Sequence, residues 1–519
     1  MKSRLLTQSL LAGSLVMIGT NVIGRLVGYL REAMIAGLFG TDLTLDTFLL
    51  AFTVPELAFF VLFAAVPTVI IPLFKQATVN RQESESALFW NGLLGLALVL
   101  GLCTVALFVF REQVLYILAP ELSVTERTLG YNLLQILAPI VFFRGLESYA
   151  RGWLFYRKHF IVPATTSMLM NVVILLALWL LEGSLGIESL AWGWLFGSIA
   201  ACLFNVLFAV IVVGPGGAFR ANGKIARRLL RLTLVVAAVE SIALLYPTID
   251  RMLAARYLGE GQISALRYAV FLIHIPTGMF VVAFNFAAFP WITDLSVTDQ
   301  RERLASLYRQ SLRLIVFVLA LVAAGVILFA PDIVRIAFMR GEFDMTSLQL
   351  TTSPLIYYAL GVLFYSIYIF QMRFYYARMM MGRLGMFLLL LLLVKIALSF
   401  VLVGPLGHDG LALATSCAWL TGAILMTVDL GRQLRVTLRD LLIPAVIKIA
   451  LALAITAGGW YLLAHAWPSD MSYSLWETFG RLLVMALVGI GIYAVVAFLL
   501  RLPEPRMVVE RIVARFTRT

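Results

Sequence analysis

Arg31-Glu32-Ala33-Met34-Ile35-Ala36-Gly37-Leu38-Phe39-Gly40 and Asp250-Arg251-Met252-Leu253-Ala254-Ala255-Arg256-Tyr257-Leu258-Gly259 are two versions of one segment, and the distance between them organises the chain. Gly40 and Gly259 lie 219 positions apart, Pro55 and Pro276 lie 221 apart, and Pro72 and Pro290 lie 218 apart. Further along, Arg151 and Arg373 are separated by 222 positions and Gly186 and Gly407 by 221. A nearly constant offset of this kind is the mark of an internal duplication.

Both copies are apolar. The 519 residues are 62% hydrophobic and 13% charged, and the mean hydropathy is +0.96. That composition exceeds what a soluble core needs and points to a membrane protein. Cys103, Cys202 and Cys417 all sit in apolar stretches and have no metal-ligand or disulfide spacing. The net charge of +12 is spread over short loops, which argues against nucleic acid and for membrane topology with some attraction to anionic lipid. Met1-Lys2-Ser3-Arg4 precedes an apolar run without a small-residue cleavage site, so the run reads as an uncleaved first span.

About 20 apolar residues cross the roughly 30 Å of hydrocarbon. Fourteen segments qualify: 8–38, 46–74, 86–110, 128–156, 160–181, 189–213, 227–257, 264–293, 310–330, 351–379, 384–404, 410–431, 441–464 and 478–501. The expected fold is all-α and polytopic: an N-lobe over 1–213, a linker over 214–226 and a C-lobe over 227–431. Two further spans and a basic tail occupy 432–519. The linker carries Gly214-Pro215-Gly216-Gly217 without the Gly-Lys-Ser/Thr of a phosphate loop. Lys75, Arg81, Arg157, Lys158, Arg220, Lys224, Arg301, Arg378, Arg432 and the tail arginines mark one side of the membrane. The loops at 41–45, 182–188, 405–409 and 465–477 contain neither Lys nor Arg. By the positive-inside rule both termini are cytoplasmic. Outer loops are expected at 111–127 and 331–350.

A duplicated apolar chain of this kind reads as a two-lobed transporter with a substrate path between the lobes. Pro55, Pro67 and Pro72 in the second span, and Pro276 and Pro290 in the eighth, predict breaks in corresponding helices. Ionisable residues inside spans cost about 2.5–3.5 kcal/mol each and face a cavity or a partner. Arg25, Glu56, Arg144, Glu147, Glu240, His274 and Lys395 are such residues, with Arg31, Glu32, Asp46, Asp250, Arg251 and Arg267 nearer the outer interface. Arg25, Arg31, Glu32, Asp46, Glu56, Arg251, Arg267 and His274 are the candidate substrate-binding set, because they cluster in spans one, two, seven and eight. Forked guanidinium donors at Arg25 and Arg31 suit a phosphorylated headgroup. The spacing of Arg144 and Glu147 predicts an ion pair on one helix face. Lys395 follows nine apolar or small residues, and a Glu240–Lys395 pair coupling spans seven and eleven is expected.

The run Gly24-Arg25-Leu26-Val27-Gly28 with Arg31-Glu32 and Leu45-Asp46-Thr47-Phe48 resembles the MurJ (MviN) family of lipid II flippases. So do Gly261 through Ala269 with Ile275-Pro276-Thr277-Gly278, and Gly404-Pro405-Leu406-Gly407 with Gly410-Leu411-Ala412. The resemblance implies membership of the multidrug/oligosaccharidyl-lipid/polysaccharide exporter superfamily. It also implies alternating-access transport of a polyprenyl-pyrophosphate-linked sugar across the bacterial inner membrane. It carries the family's first-span motif onto Arg25, Arg31 and Glu32, and the acid opening span two onto Asp46. Two departures stand out. Where the family has an arginine pair after the span-two proline, this chain has Leu57-Ala58-Phe59-Phe60-Val61, and where it has an arginine in span eight, this chain has Val270-Phe271-Leu272. Members with a sodium site use polar ligands in spans seven, eleven and twelve. Here Lys395 stands at a ligand position with Ser399 one turn on, and its ammonium replaces the ion.

The resemblance implies a flippase for lipid II or a related lipid-linked glycan, with membrane lipids and envelope-synthesis enzymes as partners and no nucleic acid. No cofactor, metal or catalytic residue is expected. The alternatives are a cation-coupled multidrug antiporter of the same superfamily, favoured by Glu56 and Glu240 and opposed by Arg25, and a non-transporting envelope-assembly scaffold. A polytopic glycosyltransferase would need an acid pair in a sizeable outer loop, which the short outer loops do not offer.

Overall fold

Apolar chain in a bilayer must satisfy its own backbone hydrogen bonds, which leaves helices or closed barrels. The structure, a computed structural model, describes residues 10–79, 85–214, 241–242, 244–436, 443–470 and 472–503, and every regular element among them is an α-helix. In chain order these are α1 (Leu10–Phe39), α2 (Leu43–Val79), α3 (Glu85–Val109), α4 (Arg111–Leu118), α5 (Val124–Leu137), α6 (Pro139–Tyr156), α7 (Ile161–Leu185) and α8 (Glu188–Val213). A helix over 244–257 is α9. Then come α10 (Gln262–Val297), α11 (Arg301–Phe338), α12 (Met345–Ala377), α13 (Met381–Leu434), α14 (Ile443–Ala466) and α15 (Leu475–Leu499).

Eleven segments are long and apolar enough to cross a membrane. One of them, Met381–Leu434, is two spans joined at Gly407, whose backbone is not helical. Those segments cover twelve of the fourteen expected spans; α1 lies on the expected first, and the expected seventh, 227–257, falls mostly outside the described residues, with α9 at its end. Pro276 and Pro290 lie inside α10, which continues through both, as α2 continues through Pro55. The expected breaks are therefore not interruptions of the helices.

The chain divides into two compact units, Met1–Ser264 and Ala265–Thr519. Apart from Gly214, the expected linker lies outside the described residues. In the first unit α6 packs against α2, α3 and α8, and α7 packs against α1 and α8. Trp153 and Tyr149 of α6 are fully buried among Phe74 and Phe89. In the second unit α12 packs against α11 and α13, and the α14–α15 hairpin lies on α11.

The duplication is written in the backbone as well as the sequence. Positive φ angles occur at Gly40 and Gly261, Lys158 and Met379, Gly186 and Gly407, and Gly214 and Arg435, every pair 221 residues apart. Gly186 (φ 52, ψ −129) and Gly407 (φ 59, ψ −138) share a conformation that a side chain rarely adopts. Gly261, two residues beyond the Gly259 expected from sequence, is the true counterpart of Gly40.

The expected outer loops hold more structure than the sequence reading gave them. Residues 111–118 form α4, and α11 resumes after a non-helical Phe329 and runs to Phe338. Leu115 and Leu118 in one copy, and Val334, Ala337 and Phe338 in the other, bury one side of a short helix. That spacing is the apolar stripe of an amphipathic helix, too short to read as a span.

Candidate functional site

α1 is positioned by two glycines. A Cβ on Gly24 would lie 3.4 Å from Ser167 Oγ, and one on Gly28 3.5 Å from Asn171 Nδ2, so α1 and α7 approach closely along this seam. Arg25 sits beside the seam and is exposed. Ile23, Leu26 and Leu30 are also exposed, at 47%, 60% and 55%. At about 100° per residue, Arg25 is turned by roughly 100° or more from each of those apolar side chains. The cation and the apolar stripe therefore occupy different sides of α1.

Arg31 is engaged within the first unit. It pairs with Glu32, donates from Nη1 to Asn171 Oδ1 at 2.7 Å, and lies 5.0 Å from the Trp194 ring centroid. Glu32 is 1% exposed. A buried carboxylate of this kind needs its cation, and Asn171 fixes which way the guanidinium fork points.

Asp46 is 4% exposed and accepts three backbone N–H groups. Its Oδ1 takes Ser264 N–H at 2.7 Å, and its Oδ2 takes Gly261 N–H at 2.9 Å and Ile263 N–H at 3.4 Å. Those are orphan donors at the start of α10, so a side chain of α2 acts as that helix's N-cap. The left-handed Gly261 permits the approach, since a Cβ there would meet the Thr41 carbonyl oxygen at 2.4 Å.

Glu56 and Arg251 form an ion pair at 2.7 Å. Arg251 also donates to Thr53 Oγ1 at 3.1 Å and to the Leu49 carbonyl at 3.3 Å, which ties α9 to α2. Both are site candidates in the sequence, but their pairing leaves no sequence signal, because no local spacing links positions so far apart. Thr53 and Asn171 were missed. Their signal is a polar residue in an apolar run, which is common in membrane helices and weak alone.

Arg144 and Glu147 lie 3.4 Å apart with both side chains buried, as the spacing predicted, and the Arg144 guanidinium also sits 4.0 Å from the Phe59 ring centroid. Arg151, 5% exposed, stands one turn further on. In the second unit Arg267 is half-buried. His274 lies 5.2 Å from the Tyr365 ring and 6.5 Å from the Trp419 ring, in an aromatic wall.

Lys395 is fully buried and donates to the Leu411 carbonyl at 2.8 Å. Thr415 Oγ1 donates to the same oxygen at 3.1 Å. The bond bridges the two halves of α13 across the Gly407 break. Glu240 lies outside the described residues, and with it the expected Glu240–Lys395 pair. An ammonium group seated on this carbonyl does not fit a site for a second monovalent cation, because the two like charges would share one oxygen.

A family model described as "Lipid II flippase MurJ" matches residues 35–479. A protein named "Probable lipid II flippase MurJ" from Borreliella burgdorferi is 24% identical over 472 residues, covering 88% of this chain and 91% of that one. One of the same name from Vibrio cholerae is 24% identical over 521 residues, covering 96% and 97%. Among solved structures, "Lipid II flippase MurJ, inward closed conformation" superposes with a TM-score of 0.80 at 22% identity, covering 94% of this chain and 99% of that one. An inward-facing multidrug resistance MATE family transporter of the MOP superfamily gives 0.66 at 14% identity, covering 81% and 98%. These structural likenesses establish the fold.

Proposed function

Because the chain belongs to the family of lipid II flippases called MurJ, we propose that it moves a polyprenyl-pyrophosphate-linked cell-envelope sugar precursor across a bacterial inner membrane. The substrate is lipid II or a related lipid-linked glycan, and the mechanism is alternating access. The chain is a multi-pass membrane protein, and the basic loops favour cytoplasmic termini.

Arg25 is the observation that carries the reading. It is an exposed guanidinium on α1, about 22 Å along the helix axis from Gly40, on a side turned from Ile23, Leu26 and Leu30. A pyrophosphate needs planar, forked donors inside an otherwise apolar wall. Acyl chains need the opposite surface. An amphipathic lipid whose head crosses while its tail stays in the bilayer needs both. Arg31, by contrast, is held by Glu32 and Asn171. We assign it and Glu32 to positioning α1, with headgroup contact carried first by Arg25. Asp46 holds the start of α10 against α2, and the Glu56–Arg251 pair ties α9 to α2. Within the second unit, Arg267 and His274 are the candidates for headgroup contact. No step makes or breaks a covalent bond. Leu57 to Val61 and Val270 to Leu272 replace the arginines expected from the family, so the positive charge of the path is concentrated in fewer residues.

Complementation tests the reading. A bacterial host depleted of its essential lipid II flippase is supplied with this chain, wild type or Arg25→Ala, with membrane levels checked by immunoblot. Rescue by wild type and failure of a well-expressed Arg25→Ala support it. Failure of well-expressed wild type removes lipid II as the substrate. Full rescue by Arg25→Ala removes Arg25 from the headgroup site.

A further inference from the structure

The internal repeat offers two short helices for comparison: α4 in the first unit and residues 331–338 of α11 in the second. Each closes with the same hydrogen bond, Ala119 N–H to the Leu115 carbonyl at 2.9 Å and Met339 N–H to the Arg335 carbonyl at 3.0 Å. Matching these two helix ends places Glu112 at the position of Asp332, 220 residues on, one fewer than the offset of the left-handed pairs.

In the second unit that helix end is covered by the α14–α15 hairpin. Phe329 packs with Trp460 and Met485 in one buried cluster, with Ile333 against it. The Trp460 ring lies 3.5 Å from where a Cβ on Gly325 would be, and its Nε1 donates to the Met485 carbonyl at 2.7 Å. Asp332 is ion-paired with Arg481 of α15, and the two residues are 4% and 3% exposed. Arg335 donates to the Asp470 carbonyl in the hairpin loop at 2.7 Å.

In the first unit the corresponding positions are bare. Val105 and Val109, on the last turns of α3 before the bend at Phe110, are 60% and 57% exposed. Glu112, Gln113 and Tyr116 are exposed and, with Ile117 and Tyr131, line an open cavity of about 430 Å³. Cations close in sequence are engaged with the backbone: Arg111 donates to the Phe108 carbonyl at 3.0 Å, and Arg127 donates to the carbonyls of Pro120 and Leu122. Bare valines in a span satisfy acyl chains. A carboxylate, an amide and two phenols around a cavity at the end of that stripe do not match acyl chains, and in the other copy the same register receives a helix bearing a guanidinium.

We propose that α3 and α4 form a docking surface for a second membrane protein, which lays a transmembrane helix along Val105 and Val109 and pairs an arginine near the end of that helix with Glu112. The contact reproduces that of α15 on α11, with Glu112 in the role of Asp332. A second copy of this chain is a poor occupant, because its own hairpin arginine is already buried against Asp332.

The test uses the full chain in the membrane of its own host, with a photo-crosslinking residue at Val105 or Tyr116 and a control at Trp179, which is 74% exposed on α7. The captured protein is identified by mass spectrometry, produced whole and co-reconstituted with this chain in nanodiscs for affinity measurement. The expected result is one membrane protein captured at the first two positions and not at Trp179. Glu112→Arg should weaken its binding about tenfold through like-charge repulsion, Glu112→Gln should weaken it less, and an Arg→Glu change at the end of the partner's helix should restore binding to Glu112→Arg. Unchanged melting of both Glu112 variants checks the fold. Capture of lipid alone, capture of a second copy, equal capture at Trp179, or indifference to Glu112→Arg would overturn the proposal.

Discussion

The Asp46 carboxylate caps a helix that it does not belong to, accepting Ser264 N–H on one oxygen at 2.7 Å and Gly261 N–H on the other at 2.9 Å. It joins the start of α2 to the start of α10. Removing it leaves buried backbone donors without acceptors. Asp46→Ala is expected to cost about 2 kcal/mol, within the range for lost caps and charged hydrogen bonds. Asp46→Asn, which keeps one acceptor oxygen, should cost less. Thermal unfolding of the purified protein in one detergent gives the order: wild type, then Asp46→Asn, then Asp46→Ala. Equal melting of all three would show that the cap contributes nothing.

Glu56 and Arg251 make a partly buried pair with further bonds to Thr53 and Leu49. Removing one partner strands the other charge, a loss of about 3 kcal/mol in buried pairs. Glu56→Leu and Arg251→Met are each expected to destabilise by about that amount, and the double variant by less than either alone. Additive losses in a double-mutant cycle would mean that the pair is not coupled.

Lys395 bonds the Leu411 carbonyl from a fully buried position. The wild-type protein is expected to melt at the same temperature in sodium and in choline buffers of equal ionic strength. Lys395→Asn, which removes the charge and leaves polar atoms beside Ser399 and Thr415, should lower stability and make it cation-dependent. Sodium-dependent melting of the wild type would contradict the ammonium's role.

Arg481 and Asp332 are buried together beneath the hairpin loop, with Arg481 Nε also donating to the Trp467 carbonyl at 2.9 Å. Arg481→Ala strands the Asp332 carboxylate and should loosen α14 and α15 from α11, at a cost of about 3 kcal/mol. Hydrogen exchange should rise along 443–466 and 475–499 while α7 and α8 keep their protection. Unchanged exchange in the hairpin would show that the clamp is not needed.

The fold was legible because its signals are long and periodic. Fourteen apolar runs and an offset near 220 survive a shift of a residue or two, and the offset reappears as four pairs of left-handed residues. α4 and the end of α11 read as loops in the sequence because eight amphipathic residues fall short of a span. The site was legible by residue type but not by partner. Arg31, Glu32, Asp46, Glu56 and Arg251 stand out as charges in apolar sequence. That Arg251 meets Glu56, and that Asp46 meets amides rather than a cation, depends on contacts some 200 residues apart in the chain. Asn171 and Thr53 carry no charge and gave no alarm.

The measurement that bears most directly on the account is the binding of a lipid-linked pyrophosphate to the purified full chain, followed by native mass spectrometry with wild type, Arg25→Lys and Arg25→Ala in parallel. The account predicts a bound lipid pyrophosphate on wild type, a weakened complex with Arg25→Lys, which loses the planar fork, and at least about a tenfold loss with Arg25→Ala, equivalent to about 1.4 kcal/mol. Equal occupancy of all three proteins, with equal melting temperatures, would contradict it.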